Sequence, residues 1–135
     1  METGASVLDF GAHHGAISTD LAARGHDVTA VSPGLGPLDG VTVIAERMTP
    51  ARIRQLGTFD YVLALSVLPH QHDWRATWDA LKSRARRALF VETPAPGEDV
   101  PSPEGLVEAF AGFPHLCVSP GFRDGFLRTI VKVDR

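Results

Sequence analysis

The sequence is poor in cysteine. Its single Cys117, among 135 residues, excludes an intramolecular disulfide, and the lack of any cysteine pair removes the usual structural zinc sites. Cys117 is expected to be a reduced, buried residue of a late strand. No stretch is apolar for long enough to cross a bilayer. The opening residues carry an acid, Glu2, and no apolar segment, so they do not read as a secretory leader. On those grounds the expected location is cytoplasmic. Basic residues are not in surplus: 13 Lys and Arg stand against 16 Asp and Glu, a formal net charge of -3. That balance argues against general nucleic-acid binding, which favours a basic surface. No internal repeat or low-complexity tract stands out.

Glycine and proline are plentiful and evenly spaced. They divide the chain into alternating strand and helix patterns within one expected domain, residues 1–135. The strands are read at Ser6 to Phe10, Asp27 to Val31, Val41 to Ala45, Phe59 to Leu65, Ala88 to Glu92, His115 to Ser119 and Phe126 to Val133. A helix opens near Gly15, with Ile17 and Leu21 expected inside, and stops at Gly25. Thr49 and Pro50 begin a short helix carrying Ile53 and Leu56. Asp73 caps a helix with Trp74, Trp78 and Leu81 on one stripe. Ser102 and Pro103 open another, with Leu106, Val107 and Phe110 inside. The Gly/Pro-rich segment Ser32 to Gly40 cannot hold a normal helix. Strands separated by helices imply a parallel α/β sheet with right-handed crossovers. The last two strands lie too close for a helix between them, so they are expected to form an antiparallel hairpin joined by Pro120 to Gly125.

The most informative stretch is Val7-Leu8-Asp9-Phe10-Gly11-Ala12-His13-His14-Gly15. An apolar run ends in an acid, glycines follow, and a helix opens. A strand, tight turn and helix start of this kind can cradle a nucleotide-like ligand on backbone N–H groups. The stretch resembles the first motif of class I S-adenosylmethionine-dependent methyltransferases, an acid followed by three glycines at alternate positions. Asp9, Gly11 and Gly15 match, and His13 stands at the middle glycine. The element pattern over nearly the whole chain resembles the same family. It implies a Rossmann-like, seven-stranded core of five parallel strands plus a C-terminal antiparallel hairpin, in order 3-2-1-4-5-7-6.

The resemblance implies S-adenosylmethionine as cofactor. It assigns Asp9 to the turn and the cofactor's amino-acid end, and Gly11, His13 and Gly15 to the backbone cradle. Family members place an acid at the end of the second strand, where two oxygens accept from both ribose hydroxyls. Here Ser32 occupies that position, and Asp39 in the following loop is a substitute acceptor. Losing one bond to a charged acceptor costs about 1.5–3 kcal/mol, or roughly ten- to hundredfold in affinity. Cofactor binding is therefore expected to be weakened, rearranged or lost. The resemblance assigns Glu46 to the adenine amino group, against a plain surface pairing with Arg47, and gives Met48 to adenine or to the core. It puts Ser66 and His70, in Leu65-Ser66-Val67-Leu68-Pro69-His70, at the edge facing the transferred methyl. Ser66 would touch cofactor, and His70 would serve as general base.

Topology adds one constellation. His13 and His14 follow the first strand, and His70 and His72 follow the fourth, its expected neighbour, with Glu92 ending the fifth. Open sheets bind ligands at such an edge. Adjacent histidines point apart and no His-x-x-x-His pair exists, so no metal is expected there. Two readings lead, ahead of a metal-dependent hydrolase using the histidine edge. One is a minimal methyltransferase acting on an unidentified acceptor. The other is a degenerate copy of that fold serving as an assembly module. Either way, a sheet with few covering helices is expected to self-associate or to bind a larger protein partner. Neither reading implies a membrane or general nucleic-acid partner.

Overall fold

The computed structural model describes residues 1–65, 67–71, 73–95, 102–120 and 127–135, with backbone alone for 117–120 and 127. Seven strands form one sheet in the order β3-β2-β1-β4-β5-β7-β6. β1 (Ser6–Phe10), β2 (Asp27–Val31), β3 (Val41–Ile44), β4 (Phe59–Ala64) and β5 (Ala85–Pro94) run parallel to one another. β7 (Leu127–Asp134) runs antiparallel to β5 and to β6 (His115–Pro120). The expected order and the terminal hairpin are both present. β5 is longer than expected at both ends: Ala85 pairs with Phe59 of β4, and Thr93 and Pro94 pair with Thr129 and Arg128 of β7.

The helices obey their caps. In α2 (Pro50–Arg54), Thr49 accepts from the Arg52 N–H at 3.2 Å, and Pro50 takes the first position, where no N–H is needed. In α3 (Trp74–Lys82), Asp73 accepts from the Ala76 N–H at 3.2 Å. α4 (Leu106–Phe110) starts later than expected, after a left-handed Gly105. Residues 32–40 carry no helix.

The two faces of the sheet are covered unequally. On one, α2, α3 and α4 enclose a large core that includes Leu8, Phe10, Val62, Leu89, Ile53, Leu81 and Phe110. Trp78 packs edge-to-face on Phe110, centroids 4.9 Å apart. On the other, α1 (Ala16–Ala23) stands over a small cluster of Val7, Val28 and Leu63, and Tyr61, Leu65 and Phe90 remain half-buried.

α1 also departs from its expected phase. Ile17 is 47 % exposed, and the buried residue is Ser18, with Leu21 and Ala22 half-buried. A polar group thus faces the sheet where an aliphatic one was expected. The reason is a carboxylate on β1, described below.

The amino-terminal edge of the sheet is stitched by polar bonds. Asp60 accepts from the Ser6 N–H at 3.0 Å and from Arg86 Nη2 at 3.2 Å, while the Asp60 N–H donates to Ser6 Oγ at 2.9 Å. Arg87 pairs with Glu2 at 2.8 Å. These bonds tie β1, β4 and β5 together at one end and leave the carboxyl ends free to build a site.

Candidate cofactor site

The turn after β1 is held by backbone. The N–H groups of Gly11 and Ala12 both donate to the Val31 carbonyl, at 2.8 and 3.1 Å, and Gly15 N–H donates to Ala12 at 2.9 Å. The turn therefore bridges the carboxyl ends of β1 and β2. Gly11, His13 and Gly15 have φ of 81°, 54° and 80°. Among the described residues His13 is the only non-glycine with positive φ. The chain keeps the backbone that three alternating glycines would give, at the cost of a left-handed side-chain-bearing residue.

Two neighbours lock this turn. A β-carbon at Gly11 would fall inside Val67, from the segment after β4, and one at Gly15 would fall inside Leu38, from the loop after β2. The Gly11 α-carbon thus serves close packing within the protein.

Asp9 sits on β1 opposite Ala30 of β2 and Leu63 of β4, and is 3 % exposed. Its Oδ2 accepts from the Ser18 hydroxyl at 2.6 Å. Burial pushes its carboxyl above the ordinary range, opposed by the Ser18 bond and by the charge of His13. Sequence reasoning missed Ser18, because an aliphatic stripe was assumed for α1. A serine three positions past the last glycine, with Leu21 and Ala22 on its side of the helix, was the available signal.

The other residues fall around the same edge. Ser32, just past β2, is buried; its N–H donates to Ile44 at 3.2 Å and its carbonyl accepts from Leu35 N–H at 3.3 Å. Asp39 is exposed on the next loop. Glu46 is exposed after β3 and pairs with Arg52, Nε and Nη2 each 3.3 Å from a carboxylate oxygen, so its partner is Arg52 and not Arg47. Met48 belongs to the core. His70 ends a 3₁₀ turn, Leu68–His70, and is exposed. His13 and His14 are exposed too. β1 and β4 are hydrogen-bonded neighbours, so His13 and His70 follow the carboxyl ends of adjacent strands. Glu92 is half-buried on β5. Ser66 and His72 lie outside the described residues, as do residues 121–125 of the expected hairpin connection, and the Cys117 side chain is not described. Among the described residues no three His, Cys, Asp or Glu side chains gather closely enough to hold a metal. Among them, too, no helix is long and apolar enough to cross a membrane.

A family model for a methyltransferase domain matches residues 1–118. The chain belongs to this methyltransferase family. Solved structures share the fold of this family member. Magnesium protoporphyrin IX methyltransferase from Synechocystis PCC 6803, with bound SAM, is 22 % identical with a TM-score of 0.69. The match covers 98 % of this chain and 71 % of that one. The 1,6-didemethyltoxoflavin-N1-methyltransferase of Burkholderia thailandensis, with 1,6-didemethyltoxoflavin and S-adenosylhomocysteine bound, is 18 % identical with a TM-score of 0.68. That match covers 98 % of this chain and 72 % of that one. The bifunctional kinase-methyltransferase WbdD gives 18 % identity and a TM-score of 0.70, over 96 % of this chain and 34 % of its own. Comparison with curated proteins gives no match.

Proposed function

We propose that this methyltransferase-family chain binds S-adenosylmethionine on the turn after β1 and transfers its methyl group to an acceptor. The observation that carries this reading is the left-handed backbone at Gly11, His13 and Gly15, above a buried Asp9 at the junction of β1, β2 and β4. Two structural neighbours carry that cofactor or its demethylated product, S-adenosylhomocysteine, which supports the choice of ligand.

The turn fits the group in part. Its backbone takes the left-handed shape at all three motif positions, and Asp9 supplies a carboxylate for the cofactor's ammonium. Ser32 stands after β2 with one hydroxyl where two acceptor oxygens would hold both ribose hydroxyls. Affinity is therefore expected to be lower than an acid at this position would give, by roughly ten- to hundredfold.

When bound, S-adenosylmethionine supplies an electrophilic methyl group. The protein's own residues supply position and exclude water. The turn and Asp9 fix the amino-acid end, and Ser32 holds one side of the ribose. Glu46, already paired with Arg52, stands at the adenine side. In this reading Ser66 is assigned to the cofactor from its place in the sequence alone, and His70 takes the acceptor's proton.

His13 and Ser32 also favour a second reading, a family member that has lost turnover and serves in an assembly. Titration calorimetry with S-adenosylmethionine and S-adenosylhomocysteine separates the two. Saturable binding, followed by radiolabel transfer to an acceptor extract, is the expected result. No heat at millimolar ligand would overturn the enzyme reading and leave the assembly module.

A further inference from the structure

Asp9 and Ser18 make the one buried polar couple between β1 and α1 that the fold does not require. Ser18 is fully buried on α1 and donates to Asp9 Oδ2 at 2.6 Å. A valine or alanine there would cover the small apolar cluster of this face at least as well. A carboxylate is retained in the interior instead, at the carboxyl end of β1, two residues before the turn. Its other oxygen is not among the buried polar atoms without a partner; among the described residues that condition falls only on Nδ1 of His26. The Ser18 bond engages Oδ2 and leaves Oδ1 outside it.

We propose that Ser18 is a positioning residue for the cofactor: it anchors one oxygen of Asp9 so that the other faces the turn as acceptor for the ammonium of S-adenosylmethionine. This rests on the cofactor reading above and extends it to a residue outside the motif. The groups facing Asp9 are few. β2 and β4 present Ala30 and Leu63 beside it, α1 presents the Ser18 hydroxyl, and the turn presents His13. Only His13 is titratable. The two groups act alike, each favouring the ionised carboxylate against burial.

The sign follows from that geometry. The ammonium binds the ionised form of Asp9. Removing the Ser18 hydroxyl leaves burial less opposed, so protonation of Asp9 begins at higher pH and the acceptor is lost there. Ser18→Ala should therefore bind S-adenosylhomocysteine about tenfold more weakly than wild type at the acid end of a titration between about pH 5 and pH 8.5, and the difference should shrink as pH rises. Ser18→Thr, which keeps the hydroxyl, should follow the wild-type profile. Asp9→Asn should bind weakly with little dependence on pH in this range.

The measurement is calorimetric titration with S-adenosylhomocysteine across that range. It is joined by carboxyl carbon NMR of Asp9 in the ligand-free protein, whose midpoint should move to higher pH in Ser18→Ala. Circular dichroism of each variant ensures that folded protein is compared. A Ser18→Ala profile parallel to wild type, or an unmoved Asp9 midpoint, would overturn the positioning role while leaving the cofactor reading intact. Failure of the wild type to bind at any pH would overturn both.

Discussion

His13 carries the clearest conflict between local preference and imposed shape. An L-residue with a β-carbon in the left-handed region costs roughly 1–2 kcal/mol, and here the turn imposes it through two bonds to Val31. His13→Gly should raise stability by about 1 kcal/mol in urea unfolding, after the greater freedom of glycine in the unfolded chain offsets part of that cost. It should also tighten S-adenosylhomocysteine binding by opening the cradle. A variant no more stable than wild type would show that the imidazole earns its place through contacts of its own. Ser32→Asp tests the opposite side of the site. A second acceptor oxygen after β2 should improve affinity by about tenfold, read by calorimetry. Unchanged affinity would remove the ribose from this position.

At the scale of elements, the turn after β1 and the segment after β4 are one packed unit. Gly11→Val looks from the sequence like a test of ligand contact. The fold makes it a test of folding, because the added carbons would enter Val67. Left-handed strain and overpacking together should cost about 2–4 kcal/mol, visible as a lower urea midpoint without any ligand. A fully stable Gly11→Val that loses only cofactor binding would contradict this packing. The opposite edge sets a pH dependence. Asp60 is held below the usual carboxylate range, first by the Ser6 backbone N–H and then by Arg86. Its folded value lies below its unfolded one, so its contribution is present above the ordinary range and is lost as pH falls through the folded value. Asp60→Asn should flatten the acid limb of stability, measured as urea midpoints between about pH 2 and pH 5. An acid limb as steep as wild type would show that other carboxylates set it.

For the whole molecule, the unequal cover of the sheet has a consequence. Among the described residues, three helices shield one face and α1 alone shields the other, where Tyr61, Leu65 and Phe90 stay half-buried. Apolar surface of this kind favours association. We expect the purified chain to self-associate at micromolar concentration by light scattering, and Phe90→Lys to shift it towards monomer. A monodisperse monomer that binds no hydrophobic dye would show the cover to be sufficient.

The sheet order was implied by the family resemblance; the sequence by itself determined the terminal hairpin, the caps at Thr49 and Asp73, and the identity of the turn at Gly11 to Gly15. Those features rest on local signals: alternating punctuation, side-chain caps within a few residues, and the spacing of an acid and glycines. The tertiary structure decided what touches what across the sheet. Ile17 turned outward and Ser18 inward because Asp9, nine residues away, needed a donor. Glu46 found Arg52 because the chain folds back between β3 and α2. Gly11 proved to face Val67, more than fifty residues distant, and no local pattern encodes that meeting. Helix phase and loop contacts depend on partners supplied by distant strands, so they exist only once the sheet has brought those strands together.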